Sequence, residues 1–390
     1  MVAKMKIPLP LYAAVILLCC IFGTTYAQVT DPCRTDAYPP PKDTEIETVV
    51  VNLDLPPVER WRHVVLPKKA ALKELLQVFH QIIGPKALKY VNYVIGLLGS
   101  LLPEEYGDEM RGMSMDLEME RGEVILYNIF YEFFTVCTSI IAQDEKGKMY
   151  HARNMDFGLF MGWDVKNNTW MTSEVLRKLL VNVEFQKNGK TVYQAATFAG
   201  YVGVLTAMKK DAFTFSIDER FVLNGGYVGL FQWLLSRGTN GAKWLGFFTR
   251  DVMLNATSYD HAKNMFAKQE LIAPAYFILG GTKAGEGAVI TRDRKGVADM
   301  WELTTSHRWY LVETNYDHWE KPLFFDDRRT PAMKCLNETT QNGLGFKGLF
   351  NVLSTKPVLN KLTVYSCLMQ VNEGKFEMYR QDCRDPCWPW

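Results

Sequence analysis

A hairpin that begins at Cys137 constrains this chain more than any other feature. Cys137 to Gln143 reads as a strand, Asp144-Glu145-Lys146-Gly147 as a turn, and Met149 to Asp156 as the returning strand. With the turn at Glu145–Lys148, Cys137 falls opposite about Met155, between Arg153 and Asp156. Facing residues of a hairpin have Cβ atoms about 5 Å apart, so both side chains come within reach of the sulfur. Positions 153 and 156 differ in parity, and a straight strand would aim them at opposite faces. A bulge or a strand end is therefore expected to turn both inward.

These neighbours suit a nucleophile. Cysteine attacks as its thiolate, and a guanidinium lowers the thiol pKa from about 8.5. If Cys137 became a chain terminus, its α-amine, with a pKa of about 8, could carry the proton, and a carboxylate such as Asp156 could orient that amine.

The chain changes character at this point. Residues 28 to about 66 read as an extended arm with one short strand, Thr48 to Leu53. From Lys68, Leu72, Leu75, Leu76, Phe79, Ile82 and Ile83 recur at helical spacing until Gly84-Pro85. A second helix is expected over 86–102 and a third from Glu123 to Phe134. Tyr93 to Leu102 is apolar on nearly every side, as a buried helix or a lipid-facing surface would be. After Cys137, strands are expected at Leu180–Phe185, Val192–Ala196, Phe213–Ile217, Ala275–Leu279, Ala288–Arg292, Trp309–Glu313 and Leu362–Gln370. Helices are expected near Gly229–Ser236, Trp244–Asn255 and Tyr259–Lys268. The 44 basic and 43 acidic residues nearly cancel, which gives no basic face for nucleic acid. No metal-ligand spacing stands out, and thiol chemistry requires no cofactor.

The first 27 residues read as a secretory signal. Lys4 and Lys6 precede an apolar run from Leu11 to Phe22, and Thr25-Tyr26-Ala27 supplies small residues for cleavage. The run is shorter than the roughly 18–20 residues that a membrane-spanning helix needs. Three sequons, at Asn167, Asn255 and Asn337, are expected on exposed, glycosylated loops. Beyond the signal remain Cys33, Cys137, Cys335, Cys367, Cys383 and Cys387, enough for three bridges in an oxidising compartment, with Cys137 a possible partner in one.

Longer motifs carry a resemblance. Cys137-Thr138-Ser139-Ile140, His151-Ala152-Arg153-Asn154-Met155-Asp156-Phe157-Gly158 and Phe198-Ala199-Gly200-Tyr201-Val202-Gly203 resemble the acid ceramidase family, as do Ala273 to Gly281, Thr314-Asn315-Tyr316-Asp317 and Asp326 to Pro331. The likeness runs from about Cys33 to the C-terminus. That family belongs to the N-terminal-nucleophile hydrolases, and Arg153 and Asp156 stand at the spacing from Cys137 shared with enzymes that cleave bile-salt amides and penicillin V.

The resemblance implies an α+β fold, a four-layer αββα sandwich preceded by a small helical α subunit. It places self-cleavage at Val136–Cys137, giving an α subunit of 28–136 and a β subunit of 137–390. By motif, Cys137 is the nucleophile, Arg153 supports its charge, Asp156 holds the free amine and Asn315 donates to the oxyanion. Arg328 organises the surrounding groups, and Glu219 joins them. Cys33–Cys335 would tie the two chains, Cys383–Cys387 would form a local bridge, and Cys367 would stay a buried thiol. The implied reaction is hydrolysis of ceramide in the lysosome, the enzyme being also secreted, with a saposin-type activator or anionic membrane lipid as partner. N-acylethanolamine acid amidase shares many of these motifs. Gly158 to Trp163, Asn224-Gly225-Gly226-Tyr227 and the C-terminal cysteine pair favour the ceramidase. From another class, a lipid-binding protein without chemistry would use the same apolar segments but would tolerate Cys137→Ser.

Overall fold

Two sheets face each other in this computed structural model, which describes residues 31–84, 95, 99, 101–129, 135–157, 162–222, 225–236, 238, 240–305 and 307–387. The signal-like segment, nearly all of the expected 86–102 helix, residues 130–134 and 158–161, and Asn224 lie outside the described residues. Along the chain the strands are β1 (Thr48–Asn52), β2 (Thr135–Gln143), β3 (Met149–Phe157), β4 (Trp163–Asp164), β5 (Thr169–Trp170), β6 (Leu180–Lys187), β7 (Lys190–Phe198) and β8 (Thr206–Lys209). Then follow β9 (Phe213–Glu219), β10 (Ala275–Gly280), β11 (Gly287–Arg292), β12 (Val297–Glu302), β13 (Tyr310–Glu313), β14 (Thr363–Gln370) and β15 (Lys375–Arg380). The main helices are α1 (Lys69–Ile83), α2 (Glu104–Leu117), α3 (Arg121–Ile129), α4 (Met171–Leu179), α5 (Gly226–Leu235), α6 (Leu245–Asn255), α7 (Tyr259–Lys268), α8 (Arg329–Thr339) and α9 (Phe346–Leu353).

One sheet has the order β1-β6-β7-β8-β9-β10-β11-β12 and the other β13-β2-β3-β14-β15. Alternation along each strand sorts side chains between faces. On β9, Phe215 packs on Phe266 of α7, with ring centroids 4.9 Å apart, while Thr214, Ser216 and Asp218 point back toward the smaller sheet. A separate apolar cluster joins the far face of the smaller sheet, through Ile140, Ala152 and Leu368, to Leu336, Leu349 and Leu353 of α8 and α9. The layers are thus helix, sheet, sheet, helix.

The central hairpin has the expected register, with Cys137 opposite Met155 and Gln143 opposite Met149. Its turn closes because Asp144 Oδ1 accepts the backbone N–H groups of Lys146 and Lys148, at 2.9 and 2.8 Å, while Gly147 takes a φ of 77°. The segment before Cys137 is woven into the rest. β1 adds a parallel edge strand to β6, and buried Glu109 of α2 accepts from Arg60 at 2.9 Å, from Trp61 Nε1 at 2.7 Å and from Arg250 of α6 at 2.5 and 2.7 Å. Cys33–Cys335 and Cys383–Cys387 are bridged, and Cys137 and Cys367 are free and buried.

Several elements escape the sequence reading. Helix α2 carries Gly107 and Gly112 and a diffuse polar pattern. Its Gly112 is required by packing, since a Cβ there would lie 2.0 Å from the Val58 carbonyl oxygen. Strand β12 is a half-exposed edge, and its mixed sequence lacks a buried strand's apolar run. The sequons are exposed, but only Asn167 lies in a turn. Asn255 ends α6 and Asn337 sits within α8, so the expectation of three loop sites is corrected to one turn and two helix surfaces.

Candidate active site

Cys137 is fully buried near the open end of the hairpin, and Arg153 Nη2 lies 2.6 Å from its sulfur. Both residues occupy the face of the small sheet that looks toward the large one, because Arg153 sits opposite Ser139, two residues on from Cys137. Arg153 Nη1 is pinned by the Leu205 carbonyl at 3.0 Å and Thr206 Oγ1 at 2.9 Å, which fixes the guanidinium against the sulfur. Burial pushes the Cys137 thiol up to about 12. The Arg153 charge pulls it down, and Asp218 and Asp156 push it further up. The chain is continuous here: β2 starts at Thr135, so the Cys137 nitrogen is a peptide N–H, and it donates to Asn315 Oδ1 at 2.8 Å.

Parity decides where Asp156 goes. β3 stays regular against β2, with Asp156 opposite Val136, and the bulge lies instead on β14 between Thr363 and Tyr365. The expectation that a bulge turns Arg153 and Asp156 to the same side is therefore corrected. Arg153 flanks the sulfur, while Asp156 faces away and accepts from Thr363 Oγ1 at 2.6 Å and Asn360 Nδ2 at 2.9 Å. Burial raises its pKa, opposed chiefly by Arg328.

Arg328, immediately before α8, crosses between these groups. It donates to the Cys137 carbonyl and, at 2.9 Å, to Asn315 Oδ1. It also grips Asp326 at 2.8 and 3.1 Å and stands 3.6 Å from Asp156 Oδ2. Its charge is held by Asp326 and Asp156 despite burial. Asn315, just past β13, accepts through Oδ1 and donates from Nδ2 to the Glu219 backbone carbonyl at 2.8 Å. Glu219 thus enters the network through its main chain. The structure gathers Cys137, Arg153, Asp156, Asn315, Arg328 and Glu219 around one peptide bond.

Other residues here were not singled out from the sequence. Ser139 Oγ donates to Asp218 Oδ1 at 2.9 Å, and Asp218 Oδ1 lies 3.5 Å from Arg153 Nη2. Burial lifts Asp218 to about 7, with Arg153 and Ser139 opposing. The signal was available: Thr214, Ser216 and Asp218 form a polar stripe at period two inside an otherwise apolar strand. Among the described residues, no group of three or more His, Cys, Asp or Glu side chains could hold a metal ion. A guanidinium against a cysteine sulfur, with amide and guanidinium donors around the adjoining peptide, is equipment for acyl transfer.

Residues 137–332 match the linear amide C–N hydrolases, choloylglycine hydrolase family, a match that begins at Cys137 itself. Residues 44–100 match the beta subunit of N-acylethanolamine-hydrolyzing acid amidase. The acid ceramidase of Mus musculus is 50% identical over 371 residues, 93% of each chain. The chain belongs to the acid ceramidase family. The Homo sapiens member is 47% identical over 391 residues, covering 97% of this chain and 98% of its own. A solved Caenorhabditis elegans N-acylethanolamine-hydrolyzing acid amidase ortholog superposes with a TM-score of 0.51 at 34% identity, covering 60% of this chain and 92% of its own. The protein is accordingly an amidohydrolase of linear amides with the αββα fold of N-terminal-nucleophile hydrolases.

Proposed function

We propose that this protein hydrolyses ceramide to sphingosine and fatty acid through a thioester at Cys137, after cutting its own Val136–Cys137 bond. The observation that carries the reading is the guanidinium of Arg153, 2.6 Å from a sulfur whose own peptide bond is the one to be cut. In the cut, Cys137 Sγ adds to the Val136 carbonyl carbon through a five-membered ring. The amide nitrogen leaves with the thiol proton, and water then hydrolyses the thioester to a Val136 carboxylate. The new α-amine, beside Asn315 and with Asp156 and Arg328 close by, takes the proton from Sγ in later turnovers. The thiolate attacks the acyl carbonyl, Asn315 donates to the oxyanion, sphingosine departs as its amine, and water releases the acid.

Two features support a lipid amide and a masked precursor. Tyr227, Phe231 and Leu235 stand exposed one turn apart on α5, and Phe221, Trp319 and Phe324 are exposed on loops joined by the Arg220–Asp317 pair. Leu75 and Phe79 of α1, with Tyr127, close an apolar void against Phe157, Phe198 and Leu205, whose carbonyl takes Arg153. Segment 28–136 is then the α subunit that covers the acyl channel before the cut, and 137–390 is the β subunit. Cys33–Cys335 keeps the two together. The exposed apolar rim suits anionic membrane lipid or a saposin-type presenter. The sequons and bridges suit a lysosomal, also secreted, glycoprotein. N-acylethanolamine is the second substrate reading, favoured by the match at residues 44–100.

Intact mass under reducing and non-reducing conditions, after acid incubation beside Cys137→Ala, tests the proposal. Two chains released only by reduction, with Cys137 at the new terminus and the variant whole and inactive on ceramide, is the expected result. A whole wild type that hydrolyses ceramide would overturn the cut. Faster hydrolysis of an N-acylethanolamine would move the substrate assignment.

A further inference from the structure

Asp218 has no part in the proposed reaction, yet it lies beside the guanidinium that touches the sulfur. Its Oδ1 lies 3.5 Å from Arg153 Nη2, the same nitrogen that stands 2.6 Å from Cys137 Sγ. Both side chains are fully buried. Ser139 donates to Oδ1 at 2.9 Å, Ser216 donates to Ser139 at 2.9 Å, and His151 Nε2 meets Ser216 at 2.8 Å, with Thr214 Oγ1 3.0 Å from Nδ1. Because each hydroxyl has a single proton, this order makes His151 Nε2 the donor at the far end. The row of donors therefore points at Asp218. Burial and Arg153 both depress the His151 pKa, to about 3, so the ring stays neutral and adds no charge.

Asp218 Oδ2, in contrast, is buried and has no hydrogen-bond partner among the described residues. A carboxylate with one bare buried oxygen is poorly solvated, which favours the neutral acid. Its other charged neighbours divide. Asp156 on β3 and Glu313 on β13, itself buried with an Oε2 that has no hydrogen-bond partner among the described residues, disfavour a further negative charge, while Arg328 favours it. Tyr276 faces it across β10, and the Cys137 thiolate would be another anion on β2.

We propose that Asp218 is a positioning residue whose charge decides how much of Arg153 is available to the Cys137 sulfur, so that the nucleophile is strongest when this carboxyl is protonated in acid. As an anion it shares Arg153 and repels a thiolate; as a neutral acid it leaves the guanidinium to the sulfur. A pKa of about 7 would put the change between an acidic compartment and neutral surroundings. The inference rests on Cys137 being the nucleophile.

The test uses the cleaved two-chain enzyme. Alkylation of Cys137 by iodoacetamide, followed by peptide mass spectrometry, and hydrolysis of a short-chain ceramide are measured from about pH 4 to pH 8, spanning the carboxyl and thiol ranges. In Asp218→Asn the ratio of neutral to acid rate should rise about tenfold, the equivalent of one pKa unit. Asp218→Glu should restore the wild-type limb. Should Asp218→Asn fail to mature, Ser139→Ala supplies the same test: losing a donor to the anion favours the neutral acid and moves the limb to higher pH. An unmoved limb, or one moved to lower pH, in either variant overturns the proposal. A wild type in which iodoacetamide leaves Cys137 untouched while another residue carries activity overturns the nucleophile itself, a distinguishable failure.

Discussion

Asn315 is held by three partners at once: the Cys137 N–H, Arg328 Nη2 and the Glu219 carbonyl. An amide so fixed costs no reorganisation when charge develops beside it, and losing one such donor typically costs about 10²–10³ in rate. Asn315→Ala should lower kcat by that order with a much smaller change in KM, measured on ceramide in detergent micelles. Arg328→Lys should also be costly, because one ammonium cannot replace a planar fork that meets Asp326, Asn315 and the Cys137 carbonyl together. Slow conversion to two chains, followed by gel electrophoresis, would show it. At this scale the sequence was most legible for Cys137 and Arg153, because the turn fixes their register. It was least legible for Asp218, whose significance depends on a strand 79 residues from Ser139 folding over it.

Among elements, the hairpin β2–β3 and the long apolar strands were readable because turn residues and buried alternation are local signals. Helices α8 and α9 were not, since their partner is the far face of the small sheet, which no local pattern announces. Helix α5 illustrates both. Its outward residues Tyr227, Phe231 and Leu235 leave an apolar stripe in solvent, while Gly229 lies so close to β-bridged residue Leu271's neighbour Ile272 that a Cβ would sit 1.8 Å from the Ile272 carbonyl oxygen. Gly229→Ala should lift the helix off and destabilise the fold by about 1–3 kcal/mol, read as a lower denaturation midpoint. Tyr227→Ser with Phe231→Ser should spare the midpoint and the hydrolysis of a soluble short-chain amide, but slow the hydrolysis of ceramide in vesicles. Equal loss on both substrates would remove the stripe from lipid recognition.

For the whole molecule, buried charge sets the response to pH. Burial raises Asp156, Glu313 and, to about 7, Asp218, while it lowers His151 to about 3. The three raised carboxyls contribute stability that is complete below about pH 4 and is lost as pH climbs, for Asp218 toward 7, at up to about 1.4 kcal/mol per unit each. The depressed histidine acts oppositely, contributing above about pH 6.5 and losing stability as pH falls. Three raised carboxyls outweigh one depressed histidine, and from about pH 6.5 to 7 Asp218 acts without the histidine's opposition. The uncleaved Cys137→Ala protein should therefore melt higher near pH 5 than near pH 7, and adding Asp218→Asn should flatten the difference in calorimetry. A protein more stable at neutral pH would contradict this balance.

Strand β2 begins two residues before Cys137, and β1 belongs to a sheet otherwise made by the later part of the chain. A cut at Val136–Cys137 would therefore divide a finished weave, not two separately built halves. The pieces could stay interlaced, tethered through Cys33 and Cys335 across 302 residues of sequence. But the connection that brought α3 to β2 during folding would be gone. Maturation would act as a ratchet: the chain folds while whole, and a mature molecule that once opens has lost its own assembly instructions. Its working lifetime would then be governed by the height of the barrier to opening and not by the depth of the folded minimum.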